Sequence, residues 1–187
     1  ELEMIDIAAF AGIPGTIGGA LKMNAGAYGD YIWNHVQSVE TVNRLGEIKS
    51  YEACKFSPAY RQITGLNHNE WFVAAELTFA RGKKGETTKL VQNYIKKRGN
   101  SQPLHLPSCG SVFRNPPESH AARLIEACGL KGKKIGGAQV SEKHANFIVN
   151  LGYAKATDVE TLMQEIIIKV EQITGIKLIP EVQILGI

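Results

Sequence analysis

Residues 12–29 read GIPGTIGGALKMNAGAYG, and six of these eighteen positions are glycine. Glycine reaches backbone angles denied to other residues and lets a ligand approach the main chain without meeting a Cβ. Where such a loop opens a helix, unpaired N–H groups and the helix dipole suit a pyrophosphate. The spacing here is Gly-x-x-Gly-x-x-Gly-Gly. It is neither the Gly-x-Gly-x-x-Gly of dinucleotide folds nor a P-loop, whose second Gly precedes Lys and Ser or Thr. Two readings stay open: a phosphate cradle of another kind, or close helix–sheet packing, which uses glycine for the same steric reason.

Beyond this stretch the pattern turns strand-like. Val36 to Asn43 reads as a strand, Leu45-Gly46 as a turn and Glu47 to Tyr51 as the returning strand. Trp71 to Ala80 is a third strand with partial alternation, whereas Lys55 to Gly65 lacks periodicity, contains Pro58 and reads as a loop. A helix is predicted from Thr87 or Thr88 to Arg98, with Leu90, Val91, Tyr94 and Ile95 on one face and Gly99 as its stop. Residues 100–117 carry Pro103, Pro107, Pro116 and Pro117 and read as a loop. They form the candidate junction between a domain at 1–100 and a smaller one at 101–187.

In the second part Ser119 can cap a short helix with Leu124, Ile125 and Cys128 facing inward and Gly129 at its end. Strands are predicted at Ile135 to Val140, Ala145 to Asn150 and Val182 to Leu185. The clearest element is a helix from Thr157 to Thr174. Thr157 and Glu160 have capping-box spacing. Val159, Leu162, Met163, Ile166, Ile167, Val170 and Ile173 form one apolar stripe, and Gly175 ends it. Strands and helices do not alternate regularly, so the fold class is α+β and not a doubly wound sheet.

Composition narrows the function. The 187 residues are 44% hydrophobic and 21% charged, ordinary for a globular protein. A net charge of +3, with short basic runs that no aromatic residues interleave, does not point to nucleic acid. Cys54, Cys109 and Cys128 are odd in number and none is spaced Cys-x-x-Cys, which fits a reducing, cytoplasmic setting and argues against a zinc site. The five histidines are scattered, so no metal is expected. No apolar stretch approaches the ~20 residues that span a bilayer. The first residue is Glu1 and not Met, so a processed or truncated start is expected.

Two further places could carry chemistry. Tyr60-Arg61 pairs an aromatic ring with a guanidinium, which can hold a carboxylate or phosphate bidentately or be a stacked surface pair. Ser111 sits in PSCGSVFRNPP, residues 107–117, after a glycine and between prolines. Phe113 occupies the second glycine position of a Gly-x-Ser-x-Gly elbow and no His-Asp partner has recognisable spacing, which disfavours a hydrolase. Ser111 on its own then reads as a hydrogen-bonding turn residue, and Cys109 as a small buried side chain.

Taken in order, Gly12 to Gly29, Tyr60-Arg61, Gly110 to Pro116 (GSVFRNP), Leu124 to Gly132 (LIEACGLKG), Ile135 to Val140 (IGGAQV) and Pro180 to Gly186 (PEVQILG) resemble the UDP-N-acetylenolpyruvoylglucosamine reductases of peptidoglycan precursor synthesis. The resemblance implies the C-terminal portion of a vanillyl-alcohol-oxidase-type FAD-binding domain followed by a small α+β substrate domain. It implies a cytoplasmic flavoprotein serving cell-wall biogenesis, and so cell shape and division. NADPH reduces FAD and leaves; the enolpyruvyl ether of UDP-N-acetylglucosamine then receives hydride from the flavin and a proton at the neighbouring carbon, giving UDP-N-acetylmuramate. Nucleotide sugar and NADPH are the partners implied, with no membrane and no obligate protein partner.

On matching positions, Ser111 is the implied proton donor, and Arg61 and Glu181 are the other catalytic residues. Arg61 would neutralise the substrate carboxylate; Glu181 would have to donate a hydrogen bond to the charged intermediate. Tyr60, Arg114 and Asn115 match substrate contacts, with Arg114 where the family often has Lys. Ile13, Pro14, Gly15, Thr16, Ile17, Gly18, Gly19, Asn24, Gly26 and Ala27 match the flavin-side loop. Only 50 positions separate Arg61 from Ser111, which implies the shorter, second subclass without an extra substrate-covering loop. The family also has an earlier glycine-rich segment forming the other wall of the FAD site, which is expected to be missing from this chain. Two other readings are an FAD-linked alcohol or hydroxy-acid oxidoreductase of the same fold and a catalytically incomplete nucleotide-sugar-binding fragment. The first leaves GSVFRNP and PEVQILG unexplained.

Overall fold

In the computed structural model, which describes residues 3–186, the chain forms two compact units, Glu1–Lys97 and Arg98–Ile187. The first opens with a 3₁₀ turn at Asp6–Phe10, then helix α1 (Ile17–Lys22) and a two-strand hairpin of β1 (Gly26–Ala27) and β2 (Asp30–Tyr31). β3 (Val36–Asn43), β4 (Ile48–Glu52) and β7 (Glu70–Leu77) make an antiparallel sheet in the order β4-β3-β7. Asn43 turns β3 into β4, its Oδ1 accepting the N–H groups of Leu45 and Glu47 at 2.9 and 3.0 Å.

β3 does not alternate cleanly because its pairing with β7 shifts register between Val36 and Ser38 and again between Glu40 and Thr41. The first shift leaves Gln37 as an extra residue in β3, so Val36 is buried together with Val39 and Thr41. There Val36 and Val39 pack with Leu21, Trp33, Phe56 and Phe72, and the Trp33 indole N–H donates to the Leu21 C=O at 2.8 Å.

The predicted loop at Lys55 to Gly65 contains a hairpin of β5 (Ser57–Ala59) and β6 (Gln62–Thr64), paired Ala59 to Gln62 across Tyr60-Arg61. Strands of three residues are too short to show periodicity, and Pro58 is tolerated because this two-stranded ribbon needs few donors. The next helix, α2 (Glu86–Ser101), runs through Gly99 and stops just before Pro103, the residue that forbids another turn. Leu90, Val91 and Tyr94 are half-buried and Ile95 is exposed, so the expected apolar face is only partly covered.

In the second unit β8 (Ser108–Ser111), β9 (Lys134–Ile135), β10 (Ala138–Val140) and β11 (Phe147–Asn150) form an antiparallel sheet ordered β8-β11-β10-β9. α3 (Ala121–Ala127) and α4 (Ala156–Thr174) complete it, and α4 packs on β9, β10 and α3. Leu162, Ile166 and Val170 of α4 are fully buried; burial of such side chains stabilises by roughly 1.5–3 kcal/mol each. Ile173, at the end of the predicted stripe, is exposed. Gly175 ends the helix with φ +72°, as its position predicts.

Several boundaries differ from the sequence reading. β8 lies inside the predicted loop 100–117; its SCGS is small and exposed and pairs through its backbone alone. The predicted strand Ile135 to Val140 is two strands, because Gly136-Gly137 turns between β9 and β10. The capping box at Thr157 and Glu160 is replaced by Asp158, whose Oδ2 accepts the N–H groups of Lys155 at 3.0 Å and Gly137 at 3.2 Å. These bonds hold the Asp158 carboxyl below its ordinary pKa. Val182 to Leu185 forms no strand; the pairing falls earlier, at a Phe113–Pro180 bridge.

Candidate functional site

In the first unit the glycine-rich stretch packs a helix closely against a strand, one of the two readings left open by its sequence. A Cβ on Gly18 would lie 3.1 Å from the Phe72 C=O, so this glycine lets α1 sit against β7. Gly15, at φ +124°, has no atom within 4 Å of its Cβ position, so the backbone there is open to a ligand. Thr16 caps α1, its side chain accepting the Gly19 N–H at 3.1 Å. Ile17 is exposed, whereas Ile13 and Ala27 are half-buried and Pro14 is exposed.

Asn24 is 5% exposed, and its side chain is committed to the fold. Its Nδ2 donates to the Ala59 C=O at 3.0 Å, and its Oδ1 accepts the Trp33 N–H at 3.4 Å. Ala59 is the last residue before Tyr60-Arg61, so Asn24 ties the glycine-rich segment to that turn. Arg61 lies at φ +53°, reaches the Gly26 C=O through Nη2 at 3.4 Å and holds its guanidinium 5.1 Å from the Tyr60 ring centre. The structure thus brings Asn24, Gly26, Tyr60 and Arg61 together. A second fastening lies nearby: His35 Nε2 and Asp30 Oδ2 are 2.7 Å apart, joining the hairpin after Gly26 to the segment that enters β3.

In the second unit Ser111 is exposed at the end of β8, opposite Phe147. Gly110 precedes it at φ +78°, a left-handed backbone that favours glycine. The next residues are paired to the C-terminal segment: Glu181 N–H donates to Val112 C=O at 2.8 Å and Arg114 N–H to Ile179 C=O at 2.9 Å. Ser111 and Glu181, 70 positions apart, therefore flank one backbone rung. Arg114 Nε is buried with no hydrogen-bond partner among the described residues. Asn115 is exposed, and its Oδ1 accepts the Ala121 N–H at 3.0 Å. Asn115 thereby caps α3, the role assigned to Ser119 from sequence; Asn can reach across a longer loop to the first helical N–H.

Cys109 is exposed and not buried as expected. Desolvation still pushes its thiol above the ordinary value, so it is not an activated thiolate. Sequence reasoning missed Asn146, which is 4% exposed and bonded on both sides to Phe113. Its signal was a polar residue inside an apolar run (ANFIV), which burial obliges to find partners. Among the described residues no group of three or more His, Cys, Asp or Glu could hold a metal ion, and no helix is long and apolar enough to cross a membrane.

The family model for the UDP-N-acetylenolpyruvoylglucosamine reductase C-terminal domain matches residues 102–185. A UDP-N-acetylenolpyruvoylglucosamine reductase of Coxiella burnetii is 52% identical over 181 residues, covering 97% of this chain and 57% of its own length. That of Methylococcus capsulatus is 52% identical over 186 residues, covering 100% and 61%. The crystal structure of UDP-N-acetylenolpyruvylglucosamine reductase (MurB) from Thermus caldophilus superposes with TM-score 0.79 at 32% identity, over 92% of this chain and 62% of that one. The chain spans about three-fifths of the length of these relatives.

Proposed function

We propose that this chain, which belongs to the UDP-N-acetylenolpyruvoylglucosamine reductase family, is the part of such an enzyme that holds the nucleotide sugar and protonates it. The observation that carries the reading is the Glu181 N–H to Val112 C=O bond at 2.8 Å, which sets the PEVQILG segment beside the turn bearing Ser111. Two segments that carry the family resemblance thus meet in one place, at residues 112 and 181.

The residues at the glycine-rich stretch fit one wall of a flavin site. Gly15 leaves its backbone open, while Asn24 and Gly26 hold the loop that would carry the contact. Ile13 to Gly19, Asn24, Gly26 and Ala27 are the residues we assign to FAD. When bound and reduced by NADPH, FAD supplies hydride to the terminal vinyl carbon of the enolpyruvyl ether.

The chain's own residues do the rest. Ser111 gives its hydroxyl proton to the neighbouring carbon and recovers one from solvent. A serine hydroxyl is a weak acid, but the enolate-like carbon left by hydride addition is basic enough to take its proton. Arg61 neutralises the carboxylate as charge moves onto it; a donor placed for such charge is worth ~3 kcal/mol. The Tyr60 ring beside the guanidinium and the anchored turn beneath it limit its freedom. Glu181 acts by donating a hydrogen bond to the charged intermediate, directly or through water. Tyr60, Arg114 and Asn115 hold the nucleotide sugar. The reaction belongs to the cytoplasmic stage of peptidoglycan precursor synthesis, in keeping with three free cysteines.

The test is a Ser111→Ala variant of the full-length protein. Flavin reduction by NADPH is expected to stay at the wild-type rate, and reoxidation by UDP-N-acetylglucosamine enolpyruvate to be lost. Survival of both half-reactions at wild-type rate would remove Ser111 from the mechanism. A full-length wild-type protein that neither binds FAD nor reduces the enolpyruvyl ether would remove the reading as a whole.

A further inference from the structure

β11 begins at Phe147, which pairs with Ser111. Beyond Ser111 the chain enters the core, where each buried N–H and C=O needs a partner. Val112 N–H finds the Asn146 C=O at 2.9 Å. At Phe113 the neighbouring backbone has already turned away, through the bond from Phe147 N–H to His144 C=O. The Asn146 side chain takes its place, with Oδ1 accepting Phe113 N–H at 3.0 Å and Nδ2 donating to Phe113 C=O at 2.8 Å. A short primary amide carries donor and acceptor side by side and so imitates one more strand residue. Asn146 is 4% and Phe113 1% exposed, so water does not compete for these bonds. The opposite edge of the same segment is held by Ile179 and Glu181.

We propose that Asn146 is a positioning residue for Ser111. It touches no reacting atom, and it fixes the backbone at Val112 and Phe113 that sets where the Ser111 hydroxyl is presented. The proposal rests on the reading of Ser111 as proton donor. Only the half-reaction that uses Ser111 should feel its loss, because flavin reduction needs no proton from this turn.

The test uses the full-length enzyme. Asn146→Ala is expected to slow flavin reoxidation by the enolpyruvyl substrate ~10²-fold, the scale of a small misplacement of a reacting group. Reduction by NADPH and the Kd for UDP-N-acetylmuramate should not change. In a Ser111→Ala background the same substitution should add no further loss, since its route is already removed. Unchanged reoxidation, equal loss in both half-reactions, or full additivity with Ser111→Ala overturns the proposal. Should Asn146→Ala not fold, Asn146→Ser carries the same expectations, because it adds no charge and its single hydroxyl cannot bond both Phe113 N–H and C=O. Amide hydrogen exchange on the wild type needs no variant: the Phe113 N–H should be as protected as those of β10, and exchange at a loop rate overturns the clamp. A wild type that protects Phe113 but cannot reduce the enolpyruvyl ether would instead strike at the reading of Ser111, and the positioning role would fall with it.

Discussion

The side-chain Oδ1 of Asn115 accepts the backbone N–H of Ala121 at 3.0 Å, so a residue in the loop after Ser111 starts helix α3. With its acceptor committed to the cap, the amide Nδ2 is the atom left to donate to a ligand. Structure and binding are therefore separable at this one side chain.

Asn115→Asp should separate them. The carboxylate keeps the acceptor, and a negative charge at a helix start is favourable, so the melting temperature should hold or rise. The donor is lost, and the new charge repels a diphosphate, so KM for the nucleotide sugar should rise at least ~10-fold, about 1.4 kcal/mol. Asn115→Ala should raise KM too, and should also lower stability by ~1 kcal/mol through loss of the cap. Thermal melts and steady-state kinetics on the two variants check both halves.

A second prediction concerns acid. Burial pushes the Asp30 carboxyl up, but hydrogen bonds from His35, Asn34 and the Tyr31 N–H outweigh it and hold it below its ordinary value. The folded carboxyl thus binds its proton less tightly than the unfolded one does. Its stabilisation is complete above the unfolded value of about 3.9 and disappears as pH falls through the lower folded value. Wild type should lose melting temperature below about pH 4 more steeply than Asp30→Asn, whose curve lacks this group. Parallel curves for the two proteins would show that the Asp30–His35 contact contributes no pH-dependent stability.

The α+β class and the larger elements were legible because they announce themselves locally. The stripe from Val159 to Val170 could only be a core-facing helix, and Val36 to Asn43 is rich in β-branched residues. β8 was not legible, because Ser-Cys-Gly-Ser gains its strand character from Phe147 and Val149, far along the chain. The β5–β6 hairpin was hidden by its length, and the cap of α3 by distance, since Asn115 lies six positions before Ala121. Asn146 shows the limit most clearly. A buried amide requires partners, but nothing local says that they belong to Phe113, 33 residues earlier. Ser111 and Glu181 are proposed from the order of the segments around them and not from their own spacing; that residues 112 and 181 meet is visible only in the fold.

The last prediction turns on Arg114. Its Nε is buried with no hydrogen-bond partner among the described residues, although an unsatisfied buried donor costs ~1–3 kcal/mol. A guanidinium suits a phosphate, and the proposed contact with the nucleotide sugar would satisfy this donor. Arg114→Met removes the buried donor and keeps the packing, so it should be as stable as wild type or more so in urea unfolding. The same variant should raise KM for the nucleotide sugar by ~10-fold or more and leave kcat within a factor of about two, the pattern of a uniform-binding contact. Arg114→Lys should recover most of the binding, since a phosphate accepts a point charge almost as well as a fork. If Arg114→Met instead destabilises the protein with KM unchanged, the buried Nε serves the fold and the phosphate assignment fails.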